Sequence, residues 1–131
     1  MPALVEAVAA EAASSNAERL VVGGRSMGGR VCSVAVAEGA VEAAGLVLIS
    51  YPLHPPGRPD RRRDAHLPDL HLPCLFVSGT RDAFGTVDEL EVAAATIPAP
   101  VTFHWIDGGD HGLRRRDGEV AGIVAEWVVG L

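Results

Sequence analysis

Apolar positions in this chain fall into two kinds of run. Four are short, over 19–23, 45–50, 74–78 and 101–106, and read as β-strands, the first three nearly continuous and so expected to be covered on both faces. The others recur at helical spacing. Leu4, Ala7, Val8 and Ala12, with Glu11 among them, predict an amphipathic helix over 2–14 that starts at Pro2 and stops at Ser14-Ser15-Asn16. A second helix is predicted from Val31 to about Glu38, ended by Gly39. A third covers 87–96 with Asp88, Glu89 and Glu91 in its early turns, where the helix dipole favours acids. The last carries Val120, Ile123, Val124, Trp127 and Val128 on one face. Helices that alternate with uniformly apolar strands predict an α/β fold: one domain over 1–131, built on a parallel sheet of about four strands with flanking helices and right-handed crossovers. The main interruption is Tyr51-Pro52-Leu53-His54-Pro55-Pro56-Gly57-Arg58-Pro59, whose prolines forbid regular structure. The loop runs on to His71 and is expected to cross over the functional end of the sheet.

Composition narrows the partners. Apolar residues make up 48% and charged residues 21% of 131 residues, which is globular usage. The net charge of -6 argues against nucleic acid. Arg61-Arg62-Arg63 and Arg114-Arg115-Arg116 do not alter this, because Asp60, Asp64 and Asp117 flank them. No apolar run reaches membrane-spanning length, and the start of the chain has no basic region of a signal peptide. Cys32 and Cys74 read as buried apolar side chains in a reducing compartment, so a cytoplasmic location is expected.

The candidate chemistry sits where strands end. Gly24-x-Ser26-x-Gly28 lies between a strand run and a helix run, the context in which a serine on a sharp turn is pushed outward as a nucleophile. The backbone N–H of Met27 then opens the helix and is a candidate oxyanion donor. In a parallel sheet, ligands bind beyond the carboxyl ends of the strands. The residues expected there are Ser26, then Tyr51 and His54, then Asp82, then Asp110 and His111. Serine needs a base to take its proton, and the resulting imidazolium needs a carboxylate to hold it. These roles go to Ser26, His111 and Asp82. Asp107 and Asp110 compete for the acid role, but Asp110 adjoins His111, and successive side chains point apart. Arg25, Tyr51 and His54 are candidates for contacting substrate. His104 lies within a strand and is expected to pack on the sheet face. The irregular spacing of His54, His66 and His71 fits no metal site, and no cofactor is expected. Gly23 to Gly29 lacks the Lys-Ser/Thr ending of a phosphate loop.

Four motifs in order carry a family resemblance: Gly24 to Arg30, Tyr51 to Gly57, Gly79 to Gly85 with Thr80-Arg81-Asp82, and Gly108 to His111. Together they resemble the small, dienelactone-hydrolase-like branch of the α/β-hydrolases over nearly the whole chain. The resemblance implies the C-terminal part of an α/β-hydrolase fold and a serine hydrolase acting on a small ester or thioester acyl substrate. The same branch includes a subunit of a nuclear histone acetyltransferase complex, which implies an alternative: an inactive hydrolase-fold module for protein–protein interaction. Members of the superfamily carry strands ahead of the nucleophile strand and a loop that supplies the second oxyanion N–H. This sequence starts at the helix just before that strand. The strand over 19–23 is therefore expected at the sheet edge, where a second copy of the chain or a missing N-terminal segment pairs with it.

Overall fold

The four apolar runs become four parallel strands: β1 (Val21–Arg25), β2 (Gly45–Ile49), β3 (Cys74–Gly79) and β4 (Val101–Ile106), in a computed structural model that describes residues 1–131. They lie side by side in the order β1-β2-β3-β4. Their register aligns Arg25, Ile49, Val77 and His104, so the loops that follow open on one end of the sheet. Around them stand α1 (Pro2–Ser14), α2 (Met27–Ala37), α3 (Val87–Ala94) and α4 (Asp117–Val129).

Strand alternation sorts the core into two layers. Leu46, Leu48, Cys74 and Phe76 face Cys32 of α2, Leu90 and Ala93 of α3, and Leu53, Leu67 and Leu70 from the long loop. Val47, Leu75, Val77 and Ile106 face the other way onto Val120 of α4, with Ile123, Val124 and Trp127 beside it. Burying each such Leu, Val or Phe is worth about 1.5–3 kcal/mol. The loop after β2 is therefore part of the core. Apolar anchors at Tyr51, Leu53, Leu67, Leu70 and Leu72 pin it, and one 3-10 turn at Leu67–Asp69 breaks it.

Two departures from the sequence pattern concern the β1 side. The helical spacing led with Leu4, but Val5 is the buried residue of α1, packed on Val31, Ala35 and Val41, while Leu4 stays 49% exposed. The first strand lies two residues beyond the apolar run. Gly23, Gly24 and Arg25 pair with Val47, Leu48 and Ile49, so backbone pairing extends β1 up to the serine. β1 lies at the sheet edge, where the strand over 19–23 was expected, and Gly23 and Arg25 are exposed. Ser26 N–H donates to Ile49 O at 2.7 Å and Ala44 N–H to Leu20 O at 2.7 Å, so the even-numbered residues bond β2. By alternation, the amides of Val21, Gly23 and Arg25 point out from the edge. Apolar grooves flank it: one between α1 and β1 of about 410 Å³, and one between β1, Ile49 and α4 of about 820 Å³.

Candidate active site

Ser26 occupies the turn between β1 and α2 at φ 52°, ψ −121°, left-handed backbone that a non-glycine residue adopts only under constraint. The constraint is glycine contact between strand and helix. A Cβ on Gly24 would lie 2.8 Å from Gly28 C and Gly29 N, and one on Gly29 would lie 2.6 Å from Gly24 O. A Cβ on Gly28 would meet nothing within 4 Å. The close pair is thus Gly24 and Gly29, and the second glycine of the pentapeptide motif is sterically free. Met27 begins α2, so its N–H has no acceptor within the helix.

Ser26, His111 and Asp82 come together although they are far apart in sequence. Ser26 Oγ is 2.8 Å from His111 Nε2, and His111 Nδ1 is 2.9 and 3.0 Å from the two Asp82 carboxylate oxygens. A carboxylate only accepts, so Nδ1 carries the proton, Nε2 is the acceptor, and the Ser26 hydroxyl donates to it. Asp82 is 3% exposed, and its Oδ1 also accepts the Phe84 N–H at 2.8 Å. His111 sits on a loop closed by tight backbone packing: a Cβ on Gly79 would collide with the Gly109 carbonyl, and Arg81 N–H donates to Gly109 O at 2.8 Å. The strand that delivers Asp82 therefore also holds the loop that delivers His111. Asp107 and Asp110 lie outside this line, and Asp110 Oδ1 accepts the Leu113 N–H at 3.1 Å instead.

The residues expected to contact substrate are engaged within the protein. Arg25 donates to Gly112 O at 2.9 Å and pairs with Asp117 Oδ1 at 3.3 Å, tying β1 to the His111 loop. Tyr51 is 1% exposed and donates to Arg63 O at 2.6 Å. Burial pushes its phenol up to about 12, so it stays protonated. His54 is 4% exposed; its Nδ1 lies 2.8 Å from Pro55 O and its Nε2 3.0 Å from Glu89 Oε1. Both partners only accept, so the two contacts are complete only when both ring nitrogens carry protons. Glu89 also closes the N-terminus of α3, accepting from Thr86 N–H while Thr86 Oγ1 accepts from Glu89 N–H. Nothing in the sequence marked Glu89 as more than a first-turn acid. Burial raises both thiols, Cys74 to about 12, which leaves them inert. His66 is held below its ordinary value by burial and then by Arg30, and Ser33 Oγ lies 2.7 Å from its Nε2. No three His, Cys, Asp or Glu side chains gather as a metal site, and no helix is long and apolar enough to cross a membrane.

The His54–Glu89 pair makes the long loop pH-sensitive. The Pro55 carbonyl, and then Glu89, raise His54 above its ordinary 6.5, so its contribution is complete below that value and vanishes as pH rises through the higher folded one. The His54 hydrogen bond, followed by Thr86, holds Glu89 at about 2 against an ordinary 4.5, so its contribution is complete above 4.5 and lost on approach to 2. The melting-temperature gap between the wild type and His54→Gln is expected to be widest at about pH 5–6 and to narrow toward pH 9. A gap constant over that range would contradict this pairing.

A parallel sheet with a strained serine elbow at one strand end, and Asp and His on the loops after the third and fourth strands, defines the hydrolase class of α/β folds. The chain belongs to the alpha/beta hydrolase family, whose domain matches residues 1–123. Solved structures share the fold at low identity. A predicted CIB-like hydrolase from Thermoplasma acidophilum is 16% identical with a TM-score of 0.76, covering 98% of this chain and 59% of its own. The esterase domain of a Rhodothermus marinus protein is 15% identical with a TM-score of 0.72, over 94% of this chain and 65% of its own. A dienelactone hydrolase from Anabaena variabilis is 21% identical with a TM-score of 0.68, over 86% of this chain and 49% of its own. This chain thus spans about half to two thirds of these similar structures.

Proposed function

We propose that the chain is a serine hydrolase that cleaves a small ester or thioester through an acyl-enzyme. Ser26 Oγ attacks the substrate carbonyl carbon as His111 Nε2 takes its proton. The Met27 N–H holds the oxyanion, and Asp82 stabilises the imidazolium. The bond to the leaving group then breaks, and His111 returns the proton to the departing oxygen or sulfur. Water repeats the sequence on the acyl-Ser26 ester, releasing the acid and restoring the hydroxyl. The observation that carries this reading is the hydrogen-bonded line from Asp82 through His111 to Ser26 at a strained elbow. The esterase domain and the dienelactone hydrolase among the similar structures point to the same bond class. A fluorophosphonate, which reacts with activated serines, tests it: one adduct per chain is expected, and none would reject the proposal.

The unpaired β1 edge favours a second, compatible reading. We propose that a further strand pairs there, from a second copy of the chain or another segment, and that the second oxyanion donor accompanies such a segment. Lacking one donor lowers the rate by about 100–1000-fold, so activity is expected to be slow when the edge is open. Pairing by a second copy is expected to make the isolated chain sediment as a dimer or larger; a stable monomer of 13.6 kDa would contradict that form of edge pairing.

A further inference from the structure

Two hydrogen bonds hold His111 along the line from Nδ1 to Nε2, and they leave one freedom open: the ring can roll about that line without breaking either bond. The loop backbone is pinned at Gly109, but its glycines put no side chain against the ring. Gly108, Gly109 and Gly112 surround the histidine, Gly108 has φ +73°, and the imidazole is 24% exposed. What opposes the roll is Phe84. Its ring stacks on the imidazole with centroids 3.9 Å apart and an interplanar angle of 28°. The same residue donates its N–H to Asp82 Oδ1 at 2.8 Å and accepts the His54 N–H at 3.0 Å on its carbonyl.

We propose that Phe84 is a positioning residue, whose ring face fixes the plane of His111 so that Nε2 keeps its lone pair aimed at Ser26. The inference rests on the serine-hydrolase reading and adds a residue to it. Phe84 reaches the base by its ring, the acid by its amide, and the long loop by its carbonyl, so the packed loop after β2 and the triad share one anchor. A flat aromatic face is the required property. It is attracted to the imidazolium that forms during acyl transfer, which an aliphatic side chain of similar size does not reproduce.

The test compares Phe84→Leu with Phe84→Tyr by two measurements on the intact chain. The first is the rate of fluorophosphonate labelling. Phe84→Leu is expected to label about tenfold more slowly than the wild type, and Phe84→Tyr at close to the wild-type rate, with melting temperatures alike. The second is proton NMR of the His111 ring, which needs no activity. The ring protons are expected upfield in the wild type and in Phe84→Tyr, and shifted toward ordinary histidine positions in Phe84→Leu. Equal labelling by Phe84→Leu, or unmoved imidazole signals, overturns the proposal. If the wild type is not labelled at all, the serine-hydrolase reading fails, and the imidazole signals still decide whether Phe84 stacks on the ring.

Discussion

Asp82→Asn is expected to lower ester turnover by about 10⁴-fold while leaving the melting temperature within a few degrees of the wild type. The amide fits the same space, so packing survives. An asparagine oxygen could still accept from His111 Nδ1, but the Phe84 N–H already claims Asp82 Oδ1 at 2.8 Å. Satisfying that amide keeps the Asn oxygen at the Oδ1 position, 3.0 Å from His111 Nδ1, and puts the NH₂ at the Oδ2 position, 2.9 Å from the same nitrogen, where it can only donate. That NH₂ favours the imidazole that accepts at Nδ1 and carries its proton on Nε2, the tautomer that cannot take the Ser26 proton. Loss of carboxylate charge also removes the counterion of the imidazolium in a position 3% exposed, where water does not replace it. Turnover within tenfold of the wild type would remove Asp82 from the proposed machinery.

The second large effect separates two glycines that a motif treats alike. Gly24→Ala is expected to destabilise the chain by about 1–3 kcal/mol and to suppress labelling of Ser26, because its methyl group meets helix backbone rather than a flexible side chain. That backbone is Gly28 C and Gly29 N, each 2.8 Å from the added carbon. Relief requires moving α2 off β1, which relaxes the strained turn that presents the hydroxyl. Gly28→Ala meets nothing within 4 Å and lies in the first turn of α2, where alanine costs less chain entropy. It is expected to raise the melting temperature by a few degrees. Equal destabilisation by the two substitutions, measured by thermal denaturation, would contradict this account of the elbow.

How far the sequence reveals the molecule depends on whether a feature is local or made by packing. The strands were legible because each is a short, mostly apolar run, although only β2 and β3 are buried along their length, while Thr102 and His104 of β4 are exposed. The line Ser26, Asp82, His111 was legible because parallel strands bring their carboxyl ends to one place, so order along the chain becomes adjacency in space. Other features depend on partners that sequence spacing does not supply. The position of β1, two residues beyond its apolar run, follows from pairing of glycines with β2. The inward turn of Tyr51 and His54 depends on Arg63 and Glu89, which lie 12 and 35 residues away. Phe84 carried no signal beyond its place in a short motif, because a ring stacked on an imidazole is a property of the folded loops. The exposed Leu4 beside the buried Val5 shows the same limit, since α2 and Val41 beyond it decide which side of α1 is covered.

The most direct measurement is to map the fluorophosphonate adduct by mass spectrometry on the wild type and on His111→Ala. The wild type is expected to carry its single adduct on Ser26. His111→Ala keeps that serine but lacks the base 2.8 Å from it, and is expected to carry none. An adduct on another residue, or equal labelling of Ser26 without the imidazole, would contradict the claim that His111 activates Ser26.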